Sequence, residues 1–119
     1  MTFRPEELRQ RTKQFAIRAI RLFRALPRTE EARVIGRQLL RAATSVAANY
    51  RAVCRARSRA EFIAKMGVVL EEADESSFWL ELLCDAEIVE KSKLKAIMEE
   101  AEELTRIFHS SIQTAKRKS

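Results

Sequence analysis

The sequence predicts an all-α protein, an antiparallel up-down-up-down four-helix bundle, on three observations. Glycine and proline occur only twice each in 119 residues, while Ala, Leu, Glu, Arg and Lys dominate, the composition of long helices with short connections. Apolar residues recur at spacings of three and four through four successive stretches. Short runs bearing helix start and stop signals separate them, and short links impose antiparallel neighbours. The length suits one domain over residues 1–119, with a core that needs no disulfide or metal.

The first helix is expected over residues 6–26. Pro5 fits a first helical turn, where its missing N–H is not needed, and Glu6 and Glu7 complement the positive helix end. Leu8, Thr12, Phe15, Ala19, Leu22 and Leu26 form the apolar stripe, and Pro27 ends it. Met1–Arg4 reads as a short tail.

Thr29 then reads as an N-cap, with Glu30 and Glu31 behind it, for a second helix over 30–55. Its small residues Ala42, Ala43, Ser45, Ala47 and Ala48 allow neighbouring helices to approach closely. Gly36 lowers helix propensity and is tolerable if a neighbour packs against it. At about 100° per residue, Ile35, Ala42, Val46, Asn49 and Val53 share one face, and Arg37, Arg41, Arg51 and Arg55 cluster opposite it. Asn49 is expected to be a buried, structural polar residue of the core, fixing the register of its neighbours through a hydrogen bond.

Ser58 and Glu61 have the spacing of a capping box and open a third helix, 59–87. Phe62, Met66, Val69, Ala73, Ser76, Leu80 and Leu83 form its core stripe. Phe78, Trp79 and Leu82 point elsewhere, and three large apolar residues together on an outer face are read as an oligomer interface. Ser92 is expected to cap a fourth helix, 93–116, carrying Leu94, Ile97, Ala101, Leu104, Phe108 and Ile112, with a frayed basic tail from Lys116.

Charge is unevenly divided. Residues 1–59 hold 15 Lys/Arg against 4 Asp/Glu, and residues 60–119 hold 8 against 13, so the halves carry +11 and −5. The halves should attract each other, and the basic half admits a polyanion. Arg37, Arg41, Arg51 and Arg55, helped by Arg33 and the basic residues of the first helix, are the candidate nucleic-acid contacts. No aromatic residue interrupts that strip, so phosphate contact without marked sequence preference is expected.

Catalytic chemistry finds no support in the pattern. The acids Glu71, Glu72, Asp74 and Glu75 lack the Glu-x-x-His pairs of a di-iron bundle, the sole histidine being His109. His109, Ser110 and Ser111 are neighbours on one helix and do not make a triad. Both glycines lie inside helices, leaving no phosphate loop. Cys54 and Cys84 are expected as free, reduced thiols. No enzymatic activity, cofactor or metal is expected, and the lack of a long apolar run or a leader suggests a cytoplasmic protein without a membrane span.

The run LLRAATSVAANYRAVCRARSRAEFIAKMGVVLEEADESSFWLELL resembles the small four-helix bundle proteins encoded in intervening sequences of bacterial 23S ribosomal RNA genes, also called S23-type. Ser45, Val46, Asn49, Phe62, Ile63, Lys65, Glu75, Trp79 and Leu80 carry the resemblance, which extends over residues 15–108; Ala52 and Val53 stand where many members have Glu-Gly. The resemblance implies a four-helix bundle assembling as a homopentamer, with no catalytic residues. More distantly, the chain is similar to the accessory protein of diversity-generating retroelements, implying a basic pentamer that binds nucleic acid and a reverse transcriptase. The expected function is therefore that of a non-enzymatic homo-oligomer binding RNA or DNA. The alternative is a protein-interaction scaffold or accessory subunit, for example of a reverse transcriptase.

Overall fold

The computed structural model describes residues 4–118, which form four helices: α1 (Pro5–Ala25), α2 (Glu30–Val53), α3 (Arg59–Asp85) and α4 (Lys91–Arg117). Of the expected N-terminal tail only Arg4 lies within the described residues. Each boundary has a local cause. Pro5 opens α1, and Leu26, held extended (ψ 150°) ahead of Pro27, closes it. The Thr29 hydroxyl accepts from Ala32 N–H at 3.3 Å, and the Ser58 hydroxyl from Glu61 N–H at 3.0 Å. Half of the capping box forms, because the Glu61 carboxylate is turned to Lys65, 3.2 Å away and one turn on.

Several boundaries differ from the expected ones, both ends of α1 by one residue and the end of α3, at Asp85, by two. The α2 helix stops at Val53, and tight turns follow in which Arg55 N–H and Ala56 N–H donate to Ala52 and Val53 carbonyls at 3.0 Å, so Arg55 sits just beyond the helix. Ser92 is not the cap of α4: Glu90 occupies that position without a side-chain bond, and Ser92 lies inside the first turn. The C-terminal helix also continues through Arg117, past the expected start of fraying at Lys116. After α3, Ile88 N–H reaches Leu83 C=O and Glu87 N–H reaches Cys84 C=O, both at 3.0 Å. This is a Schellman turn with Glu87 in the left-handed region (φ 58°), a place usually filled by glycine, so the motif left no glycine signal in the sequence.

Sequential neighbours pack α1 on α2, α2 on α3 and α3 on α4, while α1 and α4 meet over only a short stretch. The molecule measures 48 × 21 × 19 Å, the proportions of a bundle of helices about 40 Å long. Its core runs through Phe15 and Ala19 of α1, Leu39, Ala43 and Val46 of α2, Met66, Val69, Leu80 and Leu83 of α3, and Leu94, Leu104 and Phe108 of α4. Buried Thr12 and Ser76 satisfy their hydroxyls within their own helices, on the carbonyls of Arg9 (3.1 Å) and Glu72 (2.8 Å). No helix among the described residues is long and apolar enough to cross a membrane.

The two glycines occupy opposite environments. A Cβ on Gly36 would meet Leu26 Cδ1 at 2.5 Å and Phe23 Cδ1 at 3.0 Å, so a side chain there must displace the tips of these two side chains at the end of α1. A Cβ on Gly67 would meet nothing within 4 Å. Thermal or urea unfolding should therefore separate them: Gly67→Ala gains about 0.5–1 kcal/mol of helix stability, whereas Gly36→Leu loses about 1–3 kcal/mol by overpacking.

Candidate functional site

The arginine strip expected on α2 divides in two when its neighbours are in place. Relative to Arg37, Arg41 is rotated about 40° one way around the helix and Arg33 and Arg51 about 40° the other, at 100° per residue. The first direction faces α3. There Arg41 donates to Glu72 Oε2 at 3.1 Å and to Glu75 Oε1 at 2.6 Å, so its charge is met inside the chain. The second direction faces α1, where the Arg33 guanidinium lies 4.9 Å from the Phe23 ring centroid. Arg37 stays exposed between the two.

Farther along, Arg51 and Arg55 border a groove against the N-terminal half of α1. Its opposite rim is Arg9 and Lys13, and Thr44, Ala47 and Ala48 form its floor, enclosing about 610 Å³. All four cations are exposed, and none forms an ion pair with another described residue. Small floor side chains keep the groove open. Arg9 and Lys13, four residues apart, repeat the charge at about 6 Å along α1 and face Arg51 and Arg55 of α2 across the groove.

The remaining candidates are scattered. Asn49 is half-buried, and its Nδ2 donates to Ser45 C=O at 2.9 Å within α2, so it holds no second helix in register. Phe78 is 49% exposed and meets Trp79 edge-on with ring centroids 5.0 Å apart. Trp79 and Leu82 are half-buried. Val68, also exposed, falls on the same outer side of α3. The Trp79 Nε1–H is the one buried side-chain polar group among the described residues without a hydrogen-bond partner.

No cluster of His, Cys, Asp and Glu among the described residues has the arrangement of a metal site. The acids of α3 instead face Arg41. Glu72 and Glu75 lie close enough to share a hydrogen bond, which with burial raises the Glu75 pKa, and Arg41 only partly opposes this. On α4, Glu100 and Glu103 hold Arg11 of α1 at 2.6 and 3.1 Å, latching the thin α1–α4 seam. Cys54 and Cys84 are free.

Comparisons place this geometry among known proteins. A family model described as 23S rRNA-intervening sequence protein matches residues 6–110. Among solved structures, the chain is similar to a protein with unknown function from the S23 ribosomal protein family of Bacteroides thetaiotaomicron VPI-5482. The two are 32% identical over 92% of this chain and 97% of that one, with a TM-score of 0.84. A comparison with curated proteins finds no match.

The Glu72–Glu75 pair carries a pH signature. With its folded pKa above the ordinary 4.5, Glu75 binds more proton in the folded than in the unfolded chain just above that pH, so stability falls as pH rises through this window. Glu75→Gln should flatten that decline in melting curves. The change should stay below about 1 kcal/mol because the side chain is half solvated.

Proposed function

Since the chain belongs to the 23S rRNA-intervening sequence protein family, we propose that it is a nucleic-acid-binding homo-oligomer of that family, contacting phosphates through the α1–α2 groove. One observation carries the reading: four exposed cations, Arg9, Lys13, Arg51 and Arg55, converge on one groove without intramolecular partners among the described residues. Phosphate groups supply the missing charge. The groove lining has no aromatic side chain on which a base could stack, so binding tolerates many sequences. Arg41, committed to Glu72 and Glu75, plays no direct part.

Binding of fluorescent single-stranded and duplex RNA and DNA at several salt concentrations tests this. Affinity should fall steeply with salt, and Arg51→Ala/Arg55→Ala should reduce the log–log slope by about 0.7–0.9 per lost contact, single strands at the lower end. Arg41→Ala should leave the slope unchanged. Binding that ignores salt, or none even near about 50 mM, leaves a scaffold or accessory subunit, for instance of a reverse transcriptase, as the reading.

Self-association rests on a separate observation, the outer side of α3. Val68 and Phe78 are exposed there, half-buried Leu82 adjoins them, and the Trp79 indole N–H is buried without an acceptor. A second copy would cover the apolar surface, and five subunits are favoured on family resemblance. Native mass spectrometry at micromolar concentration should find an oligomer that Phe78→Glu dissociates while circular dichroism stays helical. A wild-type monomer would sink this part of the reading.

A further inference from the structure

The four helices leave a second cavity at the end where α1 and α3 begin and α2 and α4 finish, of about 670 Å³. It opens to solvent at the bundle end, and its size is within the range of small-molecule sites. Its floor is apolar, built from Leu8, Tyr50, Val53 and Met66, all nearly buried. Arg59, Arg106 and Lys118 stand exposed at its edge, and none forms an ion pair with another described residue. The one acid of the lining, Glu103, is held by Arg11 at 3.1 Å.

We infer that this cavity binds a single-chain amphipathic anion, an alkyl chain ending in a carboxylate or phosphate, with the chain on the apolar floor and the head among Arg59, Arg106 and Lys118. The shape and the charge agree on this class. An apolar floor alone would accept any hydrocarbon, and the uncompensated cations at the edge select an anionic end. The Tyr50 hydroxyl, its pKa raised by burial and by neighbouring Cys54, stays protonated and adds no competing negative charge.

The site meets the α1–α2 groove at Cys54 but shares none of its cations, so nucleic-acid binding and ligand binding can fail separately. Calorimetric titration of the full chain with octanoate, decanoate, dodecanoate and dodecyl phosphate, below their micelle concentrations, tests the inference. One ligand per chain should bind saturably, tightening about fourfold for each added methylene. Dodecanol should bind about tenfold or more weakly, the size of one lost charge-assisted contact, and Arg59→Ala/Arg106→Ala should erase that difference. The carboxylate and phosphate arms tell a free fatty acid from a phosphorylated lipid. Ser111→Trp fills the cavity from the half-buried edge of α4 and should abolish binding with the helical signal intact. No saturable binding below about 1 mM, binding indifferent to chain length or head charge, or a Ser111→Trp chain that binds normally overturns the inference. So does Ser111→Trp dissociating the oligomer while the wild type ignores every alkyl anion, because a neighbouring chain then fills the space.

Discussion

Close approach to α2 is the constraint on which the rest of the structure depends. Ala32, Gly36, Ala42 and Ala43 are buried along it, small enough that α1 and α3 both settle against its backbone. Larger side chains there would push the neighbours outward and open the core between Phe15, Val69 and Phe108. Tyr50 shows how far the arrangement reaches: its ring stacks on Phe108 of α4 with centroids 6.0 Å apart, joining the two helices that share no continuous seam. The tightly packed pair α2 and α3 is therefore the centre of the bundle, with α1 on α2 and α4 on α3 as outer members held by fewer contacts.

Charge is distributed to match this skeleton. Acids on α3 and α4 meet Arg41 and Arg11, one across the tight α2–α3 interface and one across the thin α1–α4 contact. These pairs are partly solvated and contribute on the order of 1 kcal/mol or less each. Their larger effect is to sort the cations. Arg41 and Arg11 are neutralised, whereas Arg9, Lys13, Arg51 and Arg55 along the α1–α2 groove and Arg59, Arg106 and Lys118 at the open end form no ion pair with another described residue.

Helix number, order and approximate bounds were legible in the sequence because Pro5, Pro27, Thr29 and Ser58 are strong local signals. Residues around Glu87 and Glu90 were harder. There a left-handed Glu stands in for glycine and the last helix begins without a side-chain cap, so Ser92 drew the prediction two residues too far. Candidate contacts were half legible for a geometric reason. A helical wheel gives the direction of Arg41 and Arg51 from α2, but not which neighbour lies there, and that neighbour decides which arginine is neutralised. Asn49 illustrates the same limit: its position on the wheel borders α3, yet its amide reaches only its own helix at Ser45.

Trp79 gives the chain a built-in optical probe. It is the only tryptophan, its indole N–H has no acceptor, and its ring touches exposed Phe78. Indole emission responds to local polarity, so a molecule covering Phe78, which packs on the Trp79 ring, should alter it. The cavity at the bundle end lies about 20 Å away along α3, counting from Met66 at 1.5 Å per residue. One unlabelled chain can thus report events at the α3 surface by its own fluorescence, while occupation of the distant cavity leaves that signal almost unmoved.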